Sequence, residues 1–206
     1  MTQTKRVGTL DVAYDASVLE PRPWTAAQAE WAAAVAPDLP PGPLLELCCG
    51  AGHIGLLTAT LARRDAVLVD LSQAACAFAE ENAAQVRASG VSVSVRQGGM
   101  ADVLDPADRF PLVVADPPYI PTVQTAHFPQ DPLTAIDGGA DGLELARLCL
   151  DVSGRHLTSP GALVLQVRDD DQARALMSYG QRLGLGEGEI RVVGDRGALL
   201  LMRRPS

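Results

Sequence analysis

Asp116, Pro117, Pro118 and Tyr119 follow directly on the apolar run from Phe110 to Ala115. Two prolines fix the backbone and remove two N–H donors, leaving their carbonyls available as acceptors. Asp116 adds a carboxylate and Tyr119 an aromatic face. This set suits a planar nitrogen that carries hydrogens. Acceptors take the hydrogens, the ring stacks on the flat face, and the lone pair is left to attack an electrophilic methyl carbon. Methyl transfer from a sulfonium disperses positive charge, so alignment and local electrostatics matter more than a strong base. A plain turn with a packed Tyr119 is the competing reading.

A second chemical stretch lies upstream, in Glu46, Leu47, Cys48, Cys49, Gly50, Ala51, Gly52 and His53. Glycines where a strand turns into a helix let a ligand approach the backbone closely. Asp70 and Leu71 end the next strand, where a carboxylate can accept both hydroxyls of a ribose. Gly50, Gly52 and Gly55 also satisfy the Gly-x-Gly-x-x-Gly dinucleotide pattern, which alone is weak. Glu46 argues for S-adenosylmethionine instead, because its carboxylate suits an ammonium and would repel a pyrophosphate. Met100, after a third strand, offers a soft apolar contact for an adenine or simply fills core.

These residues require strands that deliver them to one edge. The pattern predicts strands at 44–49, 66–71, 91–97, 110–115, 162–167, 190–193 and 198–202, with helices at 53–64, 141–157 and 171–183. A further helix begins after Ser72 as N-cap, with Ala75, Phe78, Ala79, Asn82 and Val86 on one face. Gly194, Asp195, Arg196 and Gly197 have hairpin-turn chemistry. The alternation predicts an α/β fold, a doubly wound, mostly parallel seven-stranded sheet ending in an antiparallel hairpin. The stretch 119–140 is too long for an ordinary connection and reads as a functional loop. Residues 1–43, with a helix at 24–36, read as an N-terminal lid or extension to the domain at 44–206.

Charge narrows the partners. With 17 basic against 25 acidic residues the formal charge is -8, and no dense basic run appears. Long nucleic acids are disfavoured, because basic groups would have to gather on one face. The four cysteines show neither Cys-x-x-Cys nor Cys/His metal spacing, so free thiols and no metal are expected. No signal-like or membrane-spanning apolar run is visible, which predicts a cytoplasmic protein without membrane contact.

Taken together, the motifs resemble those of the class I S-adenosylmethionine-dependent methyltransferases. Closer still, they resemble those of the HemK-type group, which modifies the glutamine N5 of peptide-chain release factors. Val18 to Thr25 resembles the segment preceding that catalytic domain. Asp116 to Ile120 resembles its Asn-Pro-Pro-Tyr-Ile signature, and Asp131 to Leu143 its Gly-Gly-containing stretch. The resemblance implies a protein N-methyltransferase using S-adenosyl-L-methionine. It puts Cys48, Cys49, Gly50, Ala51 and Gly52 at the cofactor turn, Asp70 at the ribose and Met100 beside the adenine. Asp116 would touch cofactor and substrate, and Pro117, Pro118 and Tyr119 would hold the substrate, with Arg22 and Thr25 bordering it. The helical recognition domain that precedes this core in such relatives has no counterpart in the sequence.

One departure bears on specificity. Asp116 replaces an asparagine, whose amide both donates and accepts, whereas an ionised aspartate only accepts. That favours an acceptor presenting only N–H, so a nucleobase amino-methyltransferase is the alternative. A dinucleotide-dependent oxidoreductase and a non-catalytic partner subunit are weaker ones. Among lesser features, His53 faces either cofactor or solvent, and His127 lies on an exposed loop. His156 reads as a helix-end cation, Asp169 to Asp171 as a helix cap, and Arg22 as a substrate anchor or a brace.

Overall fold

Runs such as Ala66 to Val69 and Phe110 to Ala115 have no polar face, so they need apolar partners on both sides. The computed structural model describes every residue except Glu187, Asp195 and Arg196, and supplies those partners with helices on both faces of a sheet. In chain order the elements are β1 (Gln3–Val7), β2 (Leu10–Tyr14), α1 (Ala26–Val35), β3 (Leu44–Leu47), α2 (His53–Ala62), β4 (Ala66–Asp70), α3 (Gln73–Arg87) and β5 (Val93–Gln97). They continue with β6 (Phe110–Ala115), α4 (Leu133–Ile136), α5 (Glu144–His156), β7 (Leu157–Val167), α6 (Asp170–Arg182), β8 (Gly188–Val192) and β9 (Ala198–Arg204).

The main sheet has the order β5-β4-β3-β6-β7-β9-β8. Strands β5 to β7 in that order are parallel, and β9 runs antiparallel to β7 and β8. This is the doubly wound, seven-stranded sheet with a terminal hairpin that the alternation predicts. The winding reverses between β3 and β6, which opens a crevice at their carboxyl ends. Side-chain alternation splits the core in two. Leu44, Leu112 and Val164 face a cluster with α1, α2 and α3, while Leu45, Val113 and Leu165 face one with residues of α5 and α6.

Caps set two helix starts as expected. The Ser72 hydroxyl accepts from Ala75 N, and the Asp169 carboxylate accepts from Gln172 N. The turn expected at Gly194 to Gly197 includes Asp195 and Arg196, which lie outside the described residues. No helix among the described residues is long and apolar enough to cross a membrane.

Several local expectations need correction. Residues 3–14 form a β-hairpin of their own, with Val7, Leu10, Val12 and Tyr14 buried. It is anchored through Asn82, whose side chain exchanges hydrogen bonds with Ala13 N and O at 2.8 and 2.9 Å. Strand β7 starts at Leu157, five residues before the expected position 162, because the pairing with β6 skips from Leu157 to Ala162 and tolerates the turn residues between. His156 is buried, not solvated: its Nδ1 lies 3.0 Å from Asp108 O, and its ring packs near Phe110.

The proline-rich connection 37–43 carries carbonyls that no regular element satisfies. Arg64 does so: its guanidinium donates to Ala36 O, Leu39 O, Pro40 O and Gly42 O at 2.6–3.0 Å. Such a fork binds several acceptors at little extra ordering cost. Arg64→Ala is therefore expected to destabilise the chain by about 2 kcal/mol, read as a lower urea midpoint with an unchanged m-value. Arg63→Ala, with no such contacts, serves as the control.

Candidate active site

The carboxyl ends of β3, β4 and β6 border a cleft of about 430 Å³. That volume lies within the common range for small-molecule sites. Its floor is the turn after β3, where Cys48, Cys49, Gly50 and Ala51 line the cleft. Gly50 has φ +53°, and a Cβ built there would meet no atom within 4 Å, so the open side faces the cleft. Cys48 adopts φ +56°, a left-handed conformation that costs a non-glycine residue about 1–2 kcal/mol. A hydrogen bond with Cys149, then burial, push its thiol well above the ordinary range, so it is unreactive.

Asp70 is fixed between two turns. Its Oδ2 accepts from Gly50 N and its Oδ1 from Ser72 N, both at 2.8 Å. The carboxylate has lone pairs left over that can accept ribose hydroxyls. Leu71, Gly98, Gly99 and Met100 continue the same wall. Leu71, 75% exposed, stands at the rim of the cleft.

Asp116 lines the cleft from the end of β6, together with Pro118. Gln28 of α1 steadies the approach, because its buried Nε2 donates to Ala115 O and Val164 O at 2.8 and 3.0 Å. Burial raises the Asp116 carboxyl to about 7. Burial and the negative potential of Asp116 raise the Tyr119 phenol to about 12. No hydrogen bond among the described residues engages the carbonyls of Pro117 and Pro118. Tyr119 O is occupied, since it accepts from Gln172 Nε2 at 3.2 Å.

The N-terminal segment closes one side, with Leu19, Glu20, Arg22 and Thr25 in the lining, and Thr134 and Ala135 of α4 lie in it too. Arg22 ties these parts together by pairing with both Asp131 oxygens at 3.0 and 3.1 Å. Thr25 Oγ1 donates to Arg22 O and lies 3.0 Å from His53 Nε2, so that nitrogen must be the donor between them. Burial, with a smaller contribution from Lys5, lowers His53 to about 4, so the ring facing the cleft is neutral.

The sequence-predicted residues thus divide. Cys48, Cys49, Gly50, Ala51, Asp70, Leu71, Met100, Asp116, Pro118, Arg22 and Thr25 lie on one cleft, whereas Glu46, Gly52, Pro117 and Tyr119 do not line it. Glu46 sits behind the turn, 2% exposed, beneath α2. Any side chain at Gly55 would press into its carboxyl. Sequence reading missed Gln28, Leu145 and Leu148. Gln28 had a signal, a polar residue within the alanine-rich stretch of α1. The leucines had none, since they read as ordinary helix core.

Glu46 has one oxygen buried without a partner. Burial first, then Asp116 and Asp70, push its carboxyl well above the usual range. The folded protein therefore holds a proton there that the unfolded chain releases at ordinary acid pH. Its contribution to stability is full below that range and is lost as pH rises toward the elevated folded value. Glu46→Gln is expected to raise the melting temperature of the unliganded protein at neutral pH and flatten its decline with rising pH. It should also weaken S-adenosylmethionine binding about tenfold, the equivalent of about 1.4 kcal/mol. Thermal melts across pH, with and without cofactor, read both effects.

Three carboxyl groups around one turn, with Arg22 already engaged by Asp131, favour a cationic ligand. S-adenosylmethionine carries a sulfonium and an ammonium against one carboxylate, and the orphaned Glu46 oxygen and the open Gly50 cradle fit it. A pyrophosphate would face the Asp70 carboxylate and would hold Glu46 and Asp116 in their neutral forms. Among the described residues no group of His, Cys, Asp and Glu is arranged to hold a metal ion.

Comparison with known proteins agrees with this fit. A methyltransferase domain model matches residues 44–128. The release factor glutamine methyltransferase of Geobacter sulfurreducens is 32% identical over 201 residues, covering 91% of this chain and 68% of that protein. The ribosomal protein uL3 glutamine methyltransferase of Bordetella pertussis is 33% identical over 130 residues, covering 60% and 42%. The chain thus spans between about two fifths and two thirds of the length of these curated relatives. Among solved structures, the human METTL16 N-terminal domain in complex with SAH superposes with a TM-score of 0.67 at 15% identity, covering 94% of this chain and 75% of that one, which supports the fold alone. The chain belongs to the family of the Geobacter sulfurreducens release factor glutamine methyltransferase, the HemK-type branch of the class I S-adenosylmethionine-dependent methyltransferases.

Proposed function

We infer that this chain is an S-adenosylmethionine-dependent N-methyltransferase acting on the side-chain amide of a protein glutamine, and that it works in the cytoplasm on a component of translation. The observation that carries this reading is the shared cleft: Asp116 and Pro118 line the same space as Gly50 and Asp70. Relatives named for release factor and uL3 glutamines supply the acceptor class.

When bound, the cofactor supplies a sulfonium methyl, which the acceptor nitrogen takes with release of one proton and S-adenosylhomocysteine. Asp70 holds the ribose, Met100 and Leu71 flank the adenine, and the Gly50 turn takes the amino-acid end near Glu46. Asp116 and the free prolyl carbonyls accept hydrogens from the planar nitrogen. That fixes its face toward the methyl and lends it electron density. Tyr119 follows these acceptors in the chain but does not line the cleft, so no contact with the acceptor is assigned to it. Residues 17–25 and α4, clamped by Arg22 and Asp131, act as the lid that excludes water.

Incubation with radiolabelled S-adenosylmethionine and purified release factor or uL3, followed by peptide mapping, tests the reading. Label on a glutamine is expected. Label confined to RNA, or none on either protein, rejects the glutamine assignment.

A further inference from the structure

A carboxyl at a strand end ordinarily gains support from main-chain N–H groups just ahead of it, as in Asx turns. Asp116 has none from the next two residues, because Pro117 and Pro118 carry no N–H. Among the described residues no hydrogen bond or ion pair reaches its side chain. The charged groups around it give no help. Glu46 of β3 and Asp70 of β4 are acidic, Arg22 of the N-terminal segment is held by both Asp131 oxygens, His53 of α2 is neutral, and the Tyr119 phenol stays protonated. Among the described residues nothing holds this group in its ionised form.

We propose that Asp116 serves a carboxamide acceptor as the neutral acid, donating its hydroxyl to the acceptor's carbonyl oxygen while its own carbonyl oxygen accepts the acceptor's N–H. A carboxylic acid in this form presents one donor beside one acceptor, the same pair an asparagine amide presents. The ionised form presents acceptors only, and would set two oxygens against each other when a glutamine binds. Ionisation of this one group therefore decides acceptor class. The acid takes carboxamides, and the carboxylate takes amines that offer only N–H. The titration falls near neutrality, because burial brings Asp116 to about 7. A bound sulfonium draws the carboxyl toward its charged form, against the burial that favours the acid.

The proposal rests on the glutamine reading, and its test separates the two. At saturating S-adenosylmethionine, kcat/KM for a glutamine-bearing peptide is measured from about pH 5.5 to about pH 9 for the native chain and for Asp116→Asn. The native chain is expected to lose about tenfold per pH unit on the alkaline side of its titration, and the asparagine variant to stay flat. Infrared difference spectra with S-adenosylhomocysteine and peptide bound should show a protonated carboxyl band at acid pH that Asp116→Asn lacks. A native profile that is flat or rises with pH, or a missing carboxyl band, overturns the proposal. If neither protein methylates the peptide, the glutamine reading fails, and the infrared titration still decides the protonation of Asp116.

Discussion

Asp116→Ala is expected to lower kcat by about a thousandfold while changing the affinity for S-adenosylhomocysteine by less than about threefold. The asymmetry follows from position. Asp116 reaches the cleft from β6, whereas the cofactor-holding groups come from the turns after β3 and β4. Deleting the carboxyl leaves the Gly50 and Asp70 tethers untouched, so the cofactor keeps its seat. The acceptor nitrogen loses the group that fixes its rotation, and the penalty falls on the step that needs alignment. Single-turnover methyl transfer beside binding calorimetry separates the two quantities. Retained turnover would show that the prolyl carbonyls alone position the nitrogen.

Asp70→Ala should act the opposite way, raising Kd for the cofactor by roughly a hundredfold to a thousandfold, equivalent to about 3–4 kcal/mol. Two losses combine. The ribose hydroxyls lose a charged acceptor, and the amides of Gly50 and Ser72 lose the carboxylate that ties their turns together. Asp70→Asn preserves the shape but offers only one acceptor oxygen, so an intermediate rise of about tenfold is expected. Calorimetric titration of the three proteins with S-adenosylhomocysteine measures the series. At saturating cofactor, the turnover of Asp70→Asn should approach that of the native chain, since this residue touches no part of the acceptor site.

What the sequence revealed depended on whether a signal was local. Phe110 to Ala115 was legible residue for residue, because an apolar run stopped by two prolines leaves little freedom at its end. Ser72 and Asp169 were legible as caps for the same reason. The N-terminal hairpin was not, because only Val7, Leu10, Val12, Ala13 and Tyr14 are apolar in it and its anchors, Asn82 and Gln85, lie far along the chain. Strand β7 was shortened by its Pro160 and Gly161, which punctuate like a turn but here sit within the strand. In the site, glycines and carboxylates at strand ends carried the reading. Gln28 and His53 act through contacts made only after folding, with Ala115 O, Val164 O and Thr25 Oγ1. The burial that raises Asp116 is likewise a property of the assembled cleft.

On this reading, cofactor and acceptor meet in the crevice between β3, β4 and β6. The most direct measurement is a crystal structure of the chain with S-adenosylhomocysteine bound. Ribose hydroxyls on Asp70, the adenine against Met100 and Leu71, and the sulfur turned toward Asp116 are expected. Finding the nucleoside outside this crevice, or its sulfur turned away from Asp116, would contradict it.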